Sequence, residues 1–275
     1  MVFIMLITLY PAWYIVVASL SNSNMLMQHD GFLLRPLDFT LETYRRVLQN
    51  AFIIRSFFNT VYIVVFGTII NMVMTTLSAY VLSRQGFYWK KAITVMIVIT
   101  MFFSGGLIPI FLNIQRLGLY DTYWALVLPG AISTYNLFIM RAAFNAVPDS
   151  LDEIAEIEGA NNWQIFTRIY LPLSMATITV LILYYGVAHW NSWFSAMIYI
   201  RKNERYPLQL ILRSILILND TQMGMSSDVS SDRVQSIGET IKYGVIVFST
   251  APILLVYPFL QKYFVKGVML GAIKG

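Results

Sequence analysis

Five carboxylates lie within ten residues of this chain, on Asp149, Asp152, Glu153, Glu156 and Glu158. Carboxylates can transfer protons, bind metal ions or form charge-assisted hydrogen bonds with a partner protein. The chain has no cysteine and only two histidines, which excludes a metal cluster built on thiolates or several imidazoles. No catalytic partner is evident beside the carboxylates, so polar contact with a partner explains them better than catalysis.

The residues around these carboxylates predict a short helix that ends in a tight turn. Ser150 and Glu153 have the S-x-x-E spacing of a capping box, which predicts a helix start. Gly159 predicts the helix end, because glycine adopts the unusual backbone angles found there and leaves room for a partner. The helical period places Leu151, Ile154 and Ala155 on an apolar face and Asp152, Glu153 and Glu156 on an acidic face.

A second helix is predicted after this turn. Asn161 and Gln164 are suited to cap its start, and Pro172 limits its continuation. Its apolar positions are Trp163, Phe166, Ile169 and Tyr170. We call the whole loop, about residues 143–173, the acidic bracket. Its pattern predicts a helix-turn-helix with an apolar side and an acidic side, and a solvated loop helix without a partner is the simpler alternative.

The elements that must position the acidic bracket are membrane helices. Hydrophobic residues make up 57% of the 275 residues and charged residues 12%, against ~25% charged in soluble domains. Apolar runs near the ~20 residues that cross a bilayer predict an all-α polytopic protein with one transmembrane domain, residues 1–275. The net charge of +5 is spread over many loops, which favours lipid headgroups over nucleic acid as a partner. The six predicted spans are about 2–20, 57–82, 92–112, 123–140, 174–200 and 243–260.

The first apolar run has a second interpretation, a cleaved signal peptide ending near Ala18-Ser19-Leu20-Ser21. No lysine or arginine precedes the run, and it is longer than the roughly 7–15 apolar residues usual in signal peptides. We therefore favour a membrane span for residues 2–20.

Polar side chains inside the predicted spans are candidates for a substrate path, because they are costly in a bilayer. The segment HWNSW, residues 189–193, is the most suggestive, since aromatic faces pack on sugar rings while Asn and His bind hydroxyls. Packing and interfacial roles for the same residues stay open. The candidates are Asn71, Asn136, His189, Trp190, Asn191 and Trp193.

The spacing within the acidic bracket resembles the EAA loop of ABC importer permeases, E-A-A-x-x-D-G-A-x(8)-I-x-L-P. Ile154 replaces the usual alanine and Glu158 the usual aspartate. Segments over nearly the whole chain, among them FSGGLIPIFL and HWNSWFSAMIYI, resemble the carbohydrate-type permeases. The chain is most similar to the maltose-type second permease subunit and to the branch for aldouronate, pectin or alginate oligosaccharides. The matching positions are Glu153, Ala155, Glu158, Gly159, Ala160, Ile169, Leu171 and Pro172.

This resemblance implies the type I permease fold of ABC importers, with the acidic bracket as a cytoplasmic coupling helix. Glu156 joins the matching positions as an expected contact with the ATPase. The implied partners are a second homologous permease as a heterodimer, two ATPase subunits, an extracytoplasmic sugar-binding protein and an oligosaccharide. Mg-ATP is expected on the ATPase subunits and no cofactor on this chain, which contains no G-x-x-x-x-G-K-[ST] motif.

Two other functions stay open at the level of the sequence. An intramembrane enzyme needs an acid or nucleophile at a reaction centre, whereas the predicted spans contain almost no Asp or Glu, and G-x-S-x-G and H-E-x-x-H are absent. An ion-coupled secondary transporter needs a titratable group at membrane depth, and only His189 meets that requirement.

Overall fold

The computed structural model describes residues 1–29, 31–223, 241–256 and 258, and all regular elements in these ranges are helical. This confirms the all-α class. The longer helices are α1 (Val2–Ser19), α3 (Glu42–Gln49), α4 (Ala51–Ser83), α5 (Lys90–Phe102), α6 (Leu107–Arg116), α8 (Thr134–Asn145), α9 (Asp149–Ile157), α12 (Met175–Trp190), α14 (Leu208–Met223) and α15 (Ile241–Val256). The short helices are α2 (Ser23–Met27), α7 (Trp124–Val127), α10 (Asn162–Ile165), α11 (Leu171–Leu173) and α13 (Phe194–Tyr199).

Helix α4, at 33 residues, is long and apolar enough to cross a bilayer by itself. Two other predicted spans contain a sharp bend, and a third bend lies at the start of the predicted span 174–200. The bend is 116° between α5 and α6, 52° between the helical segment Trp124–Gly130 and α8, and 81° between the helical segment Asn162–Leu173 and α12. Each bent pair is apolar enough to form one broken span, so up to four spans meet the criterion. The number of six therefore stays a prediction.

The bends coincide with residues that interrupt a helix. Between α5 and α6 the chain runs Phe103-Ser104-Gly105-Gly106, and Gly106 has φ +85°, a conformation that favours glycine. At the third bend, Pro172 precedes Ser174, where the helix turns. The first and last predicted spans correspond to α1, which continues through Pro11, and to α15; residues 257 and 259–260 of the last span lie outside the described residues.

Packing divides the chain into two compact units. Among the described ranges, unit one contains residues 1–60, 192–197 and most of 202–255, and unit two contains residues 61–191 and 198–201. In unit one, Val17 and Ala18 of α1 pack with Leu26 and Leu33. Also in unit one, Gly244 lies so close to Thr43 that a Cβ would sit 2.4 Å from its methyl carbon. A small residue is therefore needed where α15 meets α3.

Unit two has a core that joins α4, α8 and the acidic bracket. Its centre is an aromatic cluster of Tyr80, Phe144, Phe166 and Tyr170, whose ring centroids are 5.0–6.4 Å apart. Most of these ring pairs meet edge to face, the geometry that aromatic pairs prefer. Phe166 and Tyr170 belong to the second half of the acidic bracket, so this cluster anchors that half to α4 and α8.

Candidate functional site

Helix α9 carries the acidic residues of the bracket. It begins at Asp149 after Pro148, and no side chain caps its start. The predicted capping box of Ser150 and Glu153 is therefore wrong; proline sets the start, because it can precede a helix without needing a backbone N–H partner. Gly159 has φ +81° directly after the helix, which confirms the predicted left-handed helix end.

Arg84 lies just beyond the end of α4 and binds two carboxylates of α9. Its guanidinium forms ion pairs with Asp152 and, at 2.8 Å, with Glu156. The neighbouring Gln85 donates a hydrogen bond of 2.7 Å from Nε2 to Asp149 Oδ2. Three of the five carboxylates are thus bound within the chain, and we call this set of contacts the Arg84 clamp.

Tyr170 completes the Arg84 clamp from the second half of the bracket. Its hydroxyl donates to Asp152 Oδ2 at 2.7 Å, the same oxygen that Arg84 binds. Burial, followed by this hydrogen bond to Asp152, raises the pKa of Tyr170 to about 12. Burial by itself lowers the pKa of Arg84, but its interactions with Tyr170, Tyr80 and Asp152 raise it overall. Both groups therefore keep their protons at neutral pH.

The second half of the bracket begins as predicted. Asn161 and Gln164 form a capping box, with hydrogen bonds of 2.8 Å in both directions. A π-helical turn, Phe166–Tyr170, follows α10. Tyr80 of α4 donates a hydrogen bond of 3.2 Å to the carbonyl of Asn162, a second connection between α4 and the bracket.

The remaining bracket surface differs from the predicted faces. Ile154, predicted on the apolar underside, is 54% exposed, and Ile157 is 86% exposed. Trp163, predicted as an apolar packing position, is 62% exposed. Of the three carboxylates predicted on the acidic face, Asp152 and Glu156 form ion pairs with Arg84. The open surface thus combines apolar side chains with the remaining carboxylates.

The predicted coupling residues fall into two groups. Ala155 is buried, and Ala160, Ile169 and Leu171 pack against the same core of unit two. Glu153, Glu158, Gly159 and Pro172 are exposed, and Glu156 is exposed but held by Arg84. Within the described part of the chain, Glu153 and Glu158 have no ion-pair partner, which leaves them available to another protein.

A second polar network lies in the middle of α4. Asn71 is buried and donates from Nδ2 to the carbonyls of Gly130 at 2.7 Å and Ala131 at 3.0 Å. Its Oδ1 lies 2.6 Å from Nε2 of His189 on α12. Because Nδ2 serves as the donor, Oδ1 must accept, and Nε2 of His189 carries the proton. We call these contacts the Asn71 network.

The Asn71 network compensates for the broken helix between α7 and α8. Carbonyls at a helix end lose their intrahelical partners and need other donors when they are buried. Asn71 supplies donors to two such carbonyls. One turn further along α4, the hydroxyls of Thr75 and Tyr185 lie 2.7 Å apart, and the backbone N–H of Ser133 donates to Tyr185 Oη at 3.1 Å.

Close helix packing brings His189 to this position. Gly67 lies one turn before Asn71 on α4, and a Cβ there would sit 2.6 Å from His189 Nε2. The absence of a side chain at Gly67 thus makes room for the imidazole ring. Asn71 and His189 bind one another and the backbone between α7 and α8, so their geometry fits a packing role.

The other substrate-path candidates have varied surroundings. Asn136 is buried near the start of α8, and its backbone N–H donates to Ser133 Oγ at 3.4 Å. Trp190 is buried at the end of α12, whereas the adjacent Asn191 is exposed. Trp193, which belongs to unit one, is half-buried and lines a cavity of about 390 Å³. No group of acidic, His or Cys side chains suited to a metal ion occurs in the ranges described above.

Sequence reasoning missed the partners that hold these networks together. Arg84 lies in the basic loop RQGFYWKK, residues 84–91, for which no contact with the bracket was predicted, and Tyr170 was predicted only as an apolar position. A possible signal was the excess of acid in the bracket beside a loop with three basic residues and no acid. Thr75 gave no signal, since a threonine hydroxyl in a span can also bind its own helix backbone.

Comparison with known proteins decides the family. Residues 52–270 match the family described as the binding-protein-dependent transport system inner membrane component. The chain belongs to this family. The permease is 40% identical to the polygalacturonan/rhamnogalacturonan transport system permease protein YtcP of Bacillus subtilis (strain 168), over 98% of this chain and 94% of that protein. Protein LplC of the same organism is 39% identical over 98% of the permease and 90% of its own length.

Solved structures support the same conclusion. A crystal structure of a bacterial ABC transporter involved in the import of the acidic polysaccharide alginate superposes with a TM-score of 0.87 and 31% identity, covering 95% of the permease and 92% of that chain. A bacterial alginate ABC transporter in complex with an alginate pentasaccharide-bound periplasmic protein has a TM-score of 0.63 at 16% identity, which shows the fold alone. The predicted ABC importer permease fold and transport function are confirmed, and the family is a transport permease, not an enzyme.

Proposed function

We propose that this permease forms half of the translocation path of an ATP-driven importer for oligosaccharides. Relatives named for polygalacturonan and rhamnogalacturonan, and a structural neighbour that imports alginate, support an oligosaccharide cargo. An extracytoplasmic binding protein delivers the sugar, and a second homologous permease completes the path as a heterodimer. Two separate ATPase subunits bind Mg-ATP. The permease is then a multi-pass protein of the bacterial cytoplasmic (inner) membrane with a cytoplasmic acidic bracket.

The observation that carries this proposal is the Arg84 clamp, because it joins the acidic bracket to the longest helix of the permease. A movement of α9 reaches α4 directly through Arg84 and through the aromatic cluster around Tyr80. ATPase closure would displace the bracket and switch the cavity between inward-facing and outward-facing states. The bracket residues of the EAA-like motif thus act in coupling, without a chemical step.

The clamp also divides the coupling residues by role. Asp149, Asp152 and Glu156 hold the bracket to its own chain. Glu153 and Glu158 contact the ATPase together with exposed Ile157 and Trp163, since apolar anchors surrounded by charge are typical of protein interfaces. Gly159 permits close approach, because no atom lies within 4 Å of the position where its Cβ would stand.

The test measures ATP hydrolysis by the reconstituted complex with and without binding protein and candidate oligosaccharides. We expect a particular sugar to stimulate hydrolysis, and Glu153→Lys and Gly159→Asp to abolish that stimulation. Gly159→Asn is the matched control, because asparagine has nearly the same shape as aspartate, tolerates the left-handed conformation and adds no charge. Glu42→Lys reverses a charge at an exposed position of α3 that pairs only with Arg46 of the same helix among the described residues, and it controls for altered net charge.

Stimulation that survives both bracket substitutions would refute the coupling role, and failure of any ATPase to co-purify would refute the importer. Uptake that persists after ATP depletion while an ion gradient is maintained would favour the ion-coupled alternative. The surroundings of His189 weigh against that alternative, because its Nε2 proton is held by Asn71 Oδ1 and its ring is packed against Gly67.

A further inference from the structure

Arg213 of α14 is a half-buried cation in unit one whose contacts are unusually poor. Its guanidinium carbon lies 4.4 Å from the ring centroid of Trp193, a cation–π contact. Its hydrogen bond from Nη1 goes to the sulfur of Met197 at 3.0 Å. A thioether is a weak acceptor, so this bond satisfies little of the five-donor capacity of a guanidinium.

No carboxylate among the described residues pairs with Arg213. The ion pairs within these ranges involve Arg46, Arg55 and Arg84. Arg213 is partly exposed and has only a weak acceptor, so most of its N–H donors remain available, and an anion would supply the charged partner that they lack. The position therefore favours a negatively charged ligand.

The cavity beside Arg213 has the size and lining for such a ligand. Its volume is about 390 Å³, and it is lined by Trp193, Gln209, Leu212, Arg213, Leu216 and Ile217. Gln209 precedes Arg213 by four residues on α14, so both side chains lie on one face of the helix. The amide of Gln209 has no hydrogen-bond partner among the described residues. Two polar side chains thus line an otherwise apolar cavity without forming a hydrogen bond with each other.

We propose that this cavity is a subsite for one carboxylated sugar residue of the imported oligosaccharide. Arg213 binds the carboxylate through paired N–H donors, which match the geometry of two carboxylate oxygens. Gln209 binds ring hydroxyls, and the indole of Trp193 with the leucines packs against the apolar face of the sugar. The subsite rests on the proposed function, because the cargo class comes from there.

The place of the subsite along the chain suits an early step of import. In the proposed topology, residues 174–200 form the span that precedes the loop after residue 200. With a cytoplasmic bracket, Arg213 and Gln209 lie on the extracytoplasmic side, where a binding protein releases sugar. The subsite would therefore select for acidic sugars at entry.

The test compares a galacturonate trisaccharide with its methyl ester, which has nearly the same size but no charge. The binding protein is saturated with each sugar, and its concentration is varied. KM and kcat are then measured from ATP hydrolysis by the reconstituted complex. We expect the native complex to favour the acid at least about tenfold in kcat/KM, and Arg213→Gln to raise KM for the acid about tenfold to a hundredfold. KM for the ester should rise much less, because its neutral oxygens form weaker hydrogen bonds with Arg213 than a carboxylate does. Arg213→Lys keeps the charge without the paired geometry, so its KM for the acid should lie between the values for the native protein and for Arg213→Gln.

Two matched variants distinguish a specific subsite from a general electrostatic effect. Arg201→Gln removes the same charge from an exposed position on the same predicted side; an equal loss of preference in this variant would indicate attraction by net charge and would overturn the subsite. Gln209→Leu should raise KM for both sugars alike, because it removes contacts with hydroxyls that the two sugars share. Unchanged acid preference in Arg213→Gln would also overturn the proposal.

A direct binding measurement keeps the two proposals distinguishable. If no saccharide stimulates hydrolysis, the proposed importer function fails, and the subsite is then tested by titrating the trisaccharide into purified permease. Binding that Arg213→Gln weakens would support the subsite even then. Two results would overturn the subsite. One is that the permease binds the trisaccharide no better than the ester. The other is that Arg213→Gln leaves trisaccharide binding unchanged and instead releases anionic phospholipid that co-purifies with the native permease.

Discussion

Helix α4 carries two polar networks that solve different problems. At its end, the Arg84 clamp uses full charges and reaches the acidic bracket, where water is near. In its middle, the Asn71 network uses neutral side chains to satisfy carbonyls at a helix break. Full charges are costly at membrane depth, whereas neutral amides can supply donors there at lower cost. The comparison suggests that the end of α4 transmits movement and its middle maintains the fold.

The largest loss of stability and of coupling is expected when Arg84 is replaced. Arg84→Gln removes the positive charge and leaves Asp152, whose side chain is 15% exposed, without its counter-ion. Losing one partner of a fully buried pair costs about 3–5 kcal/mol and an exposed pair contributes no more than ~1 kcal/mol. This partly buried pair should fall between these limits, so thermal unfolding of the complex should occur at a lower temperature. If the clamp transmits movement, sugar transported per ATP hydrolysed should fall as well.

Arg84→Lys is the control for this prediction, because it keeps the charge but cannot span Asp152 and Glu156 in the same way. We expect it to recover part of the stability and little of the coupling. A normal ratio of transport to hydrolysis in Arg84→Gln would contradict a transmitting role and would leave the clamp a purely structural contact.

A smaller effect is expected at Asn71. Asn71→Leu leaves the carbonyls of Gly130 and Ala131 and the Nε2 proton of His189 without partners, at about 2–3 kcal/mol. We expect a lower unfolding temperature with an unchanged KM for sugar and an unchanged ratio of transport to hydrolysis. Asn136→Leu is the matched control, since the side-chain amide of Asn136 makes none of these bonds. A raised KM in Asn71→Leu with normal stability would restore Asn71 to the substrate path.

The smallest effect is expected at Glu156, the outer member of the Arg84 clamp. Its side chain is 58% exposed, so solvent screens its pairing with Arg84, and Glu156→Gln should cost no more than ~1 kcal/mol. The loss should shrink further in roughly 1 M salt, whereas the effect of Arg84→Gln should persist. Unfolding temperatures of both variants at low and high salt check this difference. Equal salt dependence would contradict the division into inner and outer pairs.

The sequence was sufficient to predict the helical class, the apolar runs and the bracket's turn. Gly159 and the cap of Asn161 with Gln164 are local features, because each depends on residues within one turn of helix. The first helix start was predicted wrongly at Ser150, since proline one residue outside the helix competed with the capping box. Local spacing alone does not decide between two such signals.

Pairing across the chain could not be predicted in the same way. Arg84 and Asp152 are separated by 68 residues, and Asn71 and His189 by 118. Helical periodicity states which face a residue occupies but not which helix lies against it. Asn71 and His189 were therefore both recognised as costly polar residues in spans, and their binding to one another was missed. The bends within two predicted spans and at the start of a third were missed for a related reason, since apolar runs do not report a change in helix direction.

The contact between Gly67 and His189 couples the two positions genetically, because a substitution at one determines which residues are tolerated at the other. A methyl group at position 67 would meet the imidazole ring at 2.6 Å, so Gly67→Ala alone should behave as a loss-of-function allele. A shorter side chain at position 189 would act as its suppressor by making space for the methyl group. That suppressor gives up the bond to Asn71, so the rescued double mutant should stay heat-sensitive, and the pair should change together or not at all.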